Sequence, residues 1–238
     1  VTGVQTCALP ICYTMSDLID TTEMYLKTVY ELEEDGVTPL RARIVERLDH
    51  SGPTVSQTVA RMERDGLIHV APDRSLELTD TGRHRATEVV RKHRLAERLL
   101  LDVIRLDRNL VHQEACRWEH VMSDDVEARL LAVLDDPGVD PFGNPIPEAG
   151  DQRPAPAADE MSVEEARRRG VQRGVIKRLG EPVQAREEVF TEINKAGIAP
   201  GVSVNISTDA HGVIVTTDAG ARIFLTDAIA RHAFIFRG

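Results

Sequence analysis

Ser51-Gly52-Pro53-Thr54-Val55-Ser56-Gln57-Thr58-Val59-Ala60-Arg61-Met62-Glu63-Arg64-Asp65-Gly66-Leu67 decides the fold. His50 to Pro53 is a tight turn, and proline suits the first turn of the helix that follows. Val55, Val59 and Met62 share one helical face, and Gly66 stops the helix. Thr54, Gln57, Arg61 and Arg64 fall on the opposite face. Working upstream, Thr38-Pro39 opens a helix with Leu40, Ile44 and Leu48 inward. Before it, Asp20-Thr21-Thr22-Glu23 is an acidic, hydroxyl-rich helix start, followed by Leu26, Val29 and Tyr30 at i, i+3, i+4. Downstream, two strand-like runs at 67–70 and 75–78 flank the turn signal Ala71-Pro72-Asp73-Arg74. Helix, helix, turn, helix, hairpin is the order of a winged helix-turn-helix.

Beyond this unit, Thr79-Asp80-Thr81-Gly82 introduces a helical pattern to about residue 101. Residues 109–122 form another, and Ser123-Asp124-Asp125 caps one more to 134. Leu99, Leu100, Val103, Ile104, Leu130, Leu131 and Val133 form either a dimer face or core packing between these helices. Residues 137–156 hold six prolines with interleaved glycines and read as a linker. The texture then changes. A strand at 171–179, a helix at 185–195, and short alternating runs at 202–206, 213–215, 223–225 and 234–236 predict a small, mostly β domain resembling a partly open barrel. The fold class is mainly α with this β domain appended.

The chain has 238 residues and a net charge of −10, with 42% hydrophobic and only 4% aromatic residues. Its cores are therefore aliphatic. No apolar run approaches the ~18 residues of a membrane span. Residues 1–14, with Cys7 and Cys12, fit no structural pattern, and Met15 is the expected natural start. Cys116 is then the one remaining cysteine, which fits a reducing cytoplasm better than a disulfide scaffold.

In Ala115-Cys116-Arg117-Trp118-Glu119-His120, the cysteine, glutamate and histidine fall at i, i+3 and i+4. A thiolate, a carboxylate and an imidazole on one helix face are ligands for a divalent transition metal. A lone cysteine is otherwise a small core residue. His93 and Glu97 repeat the i, i+4 spacing, a pattern equally suited to an ordinary surface pair. Between Thr38 and Arg74 there are six arginines, no lysines and five acids, so the DNA-reading face is only locally basic.

The runs DTTEMYLKTVYELEEDGVTPLRARI, SGPTVSQTVARMERDGL, DRSLELT, RKHRLAERLL, HQEACRWEHVMSD and PFGNPIP resemble the diphtheria toxin repressor family, iron-dependent repressors of actinobacteria. The likeness is close from Met15 to about Pro147 and looser beyond. It implies a winged helix-turn-helix DNA-binding domain (15–80), a helical metal-binding and dimerisation domain (81–140), a Pro-rich linker (141–165) and an SH3-like domain (166–238). It places an activating metal site on Met24, Cys116, Glu119 and His120. An ancillary site falls on His93, Glu97 and His112, with Glu181 and Gln184 from the third domain. The implied cofactor is Fe²⁺ at two sites per subunit, with Mn, Co, Ni or Zn as substitutes.

Manganese-sensing members typically carry acids at the methionine and cysteine positions, so Met24 and Cys116 place this chain with the iron branch; a manganese regulator is the alternative. The family's anion contact resembles Arg94 and Asn144, but Asp140 stands where the family has a serine, and a carboxylate repels an anion. The implied DNA contacts are Arg41, Ser51, Pro53, Thr54, Ser56, Gln57, Arg61, Arg64 and Arg74, with Arg43 and Arg47 as further phosphate candidates. The expected partner is an AT-rich palindromic operator bound by a homodimer, or by two dimers. A metalloenzyme using Glu119 or Glu97 as base is the rival class; the sequence has no nucleophile elbow, phosphate loop or zincin motif to support it.

Overall fold

The computed structural model describes residues 20–135, 137–148 and 156–236. The leader at 1–14, with Cys7 and Cys12, and the 149–155 part of the proline-rich stretch lie outside them. Helix α1 (Thr21–Glu34) starts where Asp20 accepts hydrogen bonds from the N–H groups of Thr22 and Glu23 at 2.7 and 3.3 Å. Those first-turn amides have no partner inside the helix, which is why an aspartate stands there. Helices α2 (Arg41–Leu48) and α3 (Gly52–Arg64) follow, the second capped by Ser51. Strands β1 (Ile68–Val70) and β2 (Leu76–Leu78) pair antiparallel, and Arg74 at the wing tip has φ +71°. Tyr25, Leu26, Ile44, Val55, Val59 and Met62 close one core beneath the wing.

Helix α4 (Asp80–Arg98), capped by Thr79, leaves this unit and runs through a π-helical turn at Leu99–Val103. Helices α5 (Arg108–Trp118) and α6 (Asp124–Val133) complete the helical region. The sequence reading carries α5 to residue 122. The helix instead closes at Trp118, where the Val121 N–H turns back to the Trp118 carbonyl at 3.1 Å and Ser123 is already capping α6. The proposed dimer face divides: Val103, Ile104 and Val133 are exposed, whereas Leu100 and Leu130 are core. Helical periodicity alone does not separate these two destinations.

The third unit contains β3 (Glu160–Ser162), α7 (Val163–Arg168), β4 (Arg173–Leu179), α8 (Glu181–Gln184) and α9 (Glu187–Lys195). Strands β5 (Ser203–Asp209), β6 (Gly212–Thr217) and β7 (Arg222–Thr226), helix α10 (Asp227–Ala230) and β8 (Ala233–Phe236) complete it. The antiparallel sheet runs β3-β8-β4-β5-β6-β7. A bulge in β4 between Ile176 and Arg178 lets the strand pair with β5 at one end and β8 at the other, the device that bends a sheet toward a barrel. Strand β3 lies inside the stretch read as linker. A three-residue strand has too few alternations to be legible, and its partner β8 is some seventy residues downstream.

The tether is seated, not free, over 137–148. Phe142 is fully buried, edge-on to Phe190 at 5.3 Å, and its carbonyl accepts from the Leu179 N–H at 2.9 Å. Gly143 has φ +90°, and a Cβ there would lie 2.3 Å from the Lys177 carbonyl oxygen. Only glycine permits that approach.

A second seam joins the sheet to the end of α1. Arg178, buried on β4, donates to Asp35 Oδ1 at 2.6 Å and to Glu160 at 2.8 Å, and its guanidinium lies 3.5 Å from the Phe234 ring centroid. His232 Nδ1 lies 2.6 Å from Asp35 Oδ2. Burial raises the Asp35 carboxyl, but Arg178 and His232 outweigh it and hold it below the ordinary aspartate value. A lowered carboxylate stabilises the fold above its unfolded pKa, and that contribution disappears as pH falls through the folded value. The stability advantage of wild type over Asp35→Asn is therefore expected to be full at pH 7 and to shrink below about pH 4. Urea midpoints measured from pH 7 to 3 check this; a constant gap contradicts it.

Candidate metal centre and nucleic-acid interface

His93 and Glu97 stand one turn apart on α4, as do His112 and Cys116 on α5, and the two helices pack together. His93 Nε2 lies 2.9 Å from Glu97 Oε1, His112 Nδ1 lies 3.3 Å from the same oxygen, and Cys116 Sγ lies 3.7 Å from His112 Nε2. The ligand atoms of His93, His112 and Cys116 all fall within 4.8 Å of one another. Donor atoms this close can hold one ion, whose bonds to such ligands are about 2.0–2.3 Å. Burial pushes the Glu97 carboxyl up to about 8, only partly offset by His93. Burial, together with the charges of His93 and Lys27, holds His112 well below the ordinary imidazole value, so it presents a neutral ring. A neutral imidazole is the form that ligates.

The sheet domain and α1 close the site. Glu181, at the start of α8, is 3.7 Å from His93 Nε2 and 3.1 Å from Lys27 Nζ. Lys27 Nζ is also 2.7 Å from Glu119 Oε2, which in turn lies 2.5 Å from His93 Nδ1. Burial raises the Glu119 carboxyl, but Lys27 and His93 more than reverse this. His120 is held between Glu119 Oε1 (3.3 Å) and Glu23 Oε2 (2.7 Å). Met24, half-buried, sits on the same stretch of α1, whose Lys27 and Glu23 meet Glu119 and His120.

Of the predicted ancillary residues, His93, Glu97, His112 and Glu181 gather tightly, whereas the Gln184 amide donates to the Leu179 carbonyl at 3.0 Å. The predicted activating four divide: Cys116 joins the two histidines, Glu119 bridges His93 and Lys27, and His120 reaches Glu23 on α1. The donor chemistry fits a divalent cation. Among the described residues the buried oxygens Glu97 Oε2 and Gln184 Oε1 accept no hydrogen bond, an arrangement that costs free energy unless a cation or water completes it.

The anion contact is not retained. Arg94 spends its guanidinium on Glu34 (2.9 and 2.6 Å), the Pro145 carbonyl and Glu181. Asp140 is fully engaged with the Phe142 and Asn144 N–H groups and the Asn144 amide. Carboxylates stand where an anion would need donors. Sequence reasoning missed Glu23, Lys27 and Glu31 altogether. Their spacing of four along α1 was the available signal, a charged stripe that ordinarily faces water.

On the DNA-reading side, Ser51, Pro53, Thr54, Ser56, Gln57, Arg61, Arg64 and Arg74 are exposed, and Arg41 is half-buried. Val55, Val59 and Met62 point inward as expected. Arg47 is a correction. It turns into the protein to meet Glu31 at 2.9 Å and is not available to a phosphate. Arg43 is paired with Glu46 at 3.0 Å. Gln57 is the exposed side chain suited to a base edge, so Gln57→Ala is expected to weaken a specific operator by about 1–3 kcal/mol while leaving nonspecific DNA unchanged. Parallel titrations of the two DNAs check it.

A winged helix with an exposed polar recognition face, backed by a cluster of buried imidazoles and carboxylates with a half-buried thiol, has the build of a metal-responsive DNA-binding protein. Residues 17–76 match the iron dependent repressor N-terminal DNA binding domain, and residues 79–148 match the iron dependent repressor metal binding and dimerisation domain. The chain belongs to the iron-dependent repressor family. It is 54% identical over 223 residues to the diphtheria toxin repressor of Corynebacterium glutamicum, covering 92% of this chain and 96% of the relative. It is 55% identical over 214 residues to the iron-dependent repressor IdeR of Mycobacterium tuberculosis, covering 87% and 92%. The solved structure of the manganese regulator SloR is similar, with a TM-score of 0.73 at 26% identity, covering 91% of this chain and 98% of that one.

Proposed function

We propose that this protein is an Fe²⁺-activated repressor that binds a palindromic, AT-rich operator as a homodimer, or as two dimers, in the cytoplasm, with no catalytic role. The observation that carries the choice of metal is the donor set. Sulfur and imidazole donors suit Fe²⁺, Co²⁺, Ni²⁺ or Zn²⁺ and disfavour Mg²⁺ or Ca²⁺. The activating site is assigned to Met24, Cys116, Glu119 and His120, and the ancillary site to His93, Glu97, His112, Glu181 and Gln184. The bound cation supplies positive charge among carboxylates that otherwise repel one another.

Helix α1 links metal to DNA. Tyr25, Leu26 and Val29 insert into the winged-helix core, while Glu23 and Lys27 reach the donor cluster. A change in what those two residues hold moves a helix that belongs to the DNA reader. The coupling is no larger than the metal's preference for the DNA-competent arrangement. Dimer contacts are assigned to exposed Val103, Ile104 and Val133. Apolar groups at such exposure favour burial against a second copy.

Anaerobic fluorescence anisotropy on an AT-rich palindrome, titrated with Fe²⁺ against chelated controls, tests the reading. Tight binding only with metal is expected. Equal binding with and without metal contradicts it. The same titration with Mn²⁺ at controlled free metal separates the manganese alternative, since raw affinity follows the ordinary metal series at most sites.

A further inference from the structure

We propose that Lys27 is a built-in counter-cation of the metal centre: it neutralises the ligand carboxylates in the metal-free protein and thereby sets how much free metal is needed to load the site. The inference rests on the metal-centre reading above. Lys27 Nζ lies 2.7 Å from Glu119, 3.1 Å from Glu181 and 3.9 Å from Glu31, and all four side chains are at most 7% exposed. One ammonium therefore serves carboxylates from α1, the end of α5 and α8. Two of these, Glu119 and Glu181, come from the two different metal sets.

Three buried carboxylates with no cation repel one another and are poorly solvated. Arg47 also pairs with Glu31 at 2.9 Å, and Arg94 reaches Glu181 at 3.3 Å while its other nitrogens hold Glu34, but among the described residues neither arginine pairs with Glu119, for which Lys27 is the permanent cation. A divalent ion claiming Glu119 or Glu181 competes with the ammonium for the same oxygens and is repelled by its charge while it stays. Lysine suits this role. Its charge is compact and sits on a flexible four-carbon stem, so it moves aside without disturbing the backbone.

The test uses the full chain, Co²⁺ as probe, and calorimetric and absorption titrations beside thermal melts. Lys27→Met is expected to bind Co²⁺ about tenfold or more tightly than wild type, on the scale at which groups around a metal tune its affinity. Its metal-free melting temperature is expected to fall by several degrees and to recover on adding Co²⁺. Lys27→Arg, which keeps the charge, is expected to stay near wild type in both measurements. If metal-free Lys27→Met does not fold, Co²⁺-induced folding supports the proposal, and failure to fold in saturating Co²⁺ overturns it. Lys27→Gln then provides the same affinity comparison in a chain that retains hydrogen-bond donors. Unchanged or weaker Co²⁺ binding in the neutral variant, with wild type binding normally, removes the role of Lys27 alone. Absence of Co²⁺ binding by wild type removes the metal centre itself.

Discussion

Cys116→Ala is expected to lose metal-dependent operator binding, with affinity in saturating Fe²⁺ falling about 100-fold or more. The sulfur lies 3.7 Å from His112 Nε2 and within 4.8 Å of a ligand atom of His93. Groups one step removed from a metal cost about 10–100-fold when deleted, so a donor within the cluster costs at least the upper end of that range. The fold does not depend on the thiol in the same way. Cys116 is half-buried at the edge of α5, and its removal opens little of the core. The metal-free melting temperature is therefore expected to stay within a few degrees of wild type. Cys116→Ser, matched in size but a harder donor, is expected to fall between the two. Anisotropy with and without metal checks all three proteins. A Cys116→Ala protein that still responds to Fe²⁺ like wild type contradicts the assignment.

Arg178→Met is expected to cost about 3–5 kcal/mol of stability, the range for removing one partner of a buried ion pair. The loss is large because Asp35 and Glu160 stay behind as buried carboxylates, with His232 and Lys177 to share them among the described residues. Methionine matches the stem, so the guanidinium, with its charge and its contact to the Phe234 ring, is what is removed. Arg178→Lys is expected to recover only part of the loss, since a single ammonium does not reproduce a planar fork between two carboxylates. Urea unfolding reads the magnitude. Hydrogen exchange at the last turn of α1 reads the location: protection there is expected to fall, because Arg178 also reaches the Glu34 carbonyl. Stability within 1 kcal/mol of wild type contradicts this account of the seam.

Most of the helical architecture was legible in the residues. Asp20, Ser51, Thr79 and Ser123 each cap the helix they precede, as their position before an apolar pattern predicts. Val55, Val59 and Met62 face inward and Gln57 outward, because a helix of known period has only one way to bury that set. The donor residues were legible by type and spacing, and the family likeness placed them. Three kinds of feature were not legible. Strand β3 is too short to show alternation. Leu100 and Val103 belong to the same apolar pattern, yet one is core and the other exposed. The burial of charged residues on α1 and β4 carries no local signal, since lysine, glutamate and arginine ordinarily face water.

By itself the sequence determined where helices start and stop, which side of α3 reads outward, and which donor atoms are present for a metal. Those follow from local rules of hydrogen bonding and period. Only the tertiary structure decided that Cys116 stands with His93 and His112, that Arg47 turns inward to Glu31, and that Lys27 bridges Glu119 and Glu181. The physical reason is that a buried charge is tolerated only beside its partner. Partners from α1, α4, α5 and α8 meet only once those elements have packed.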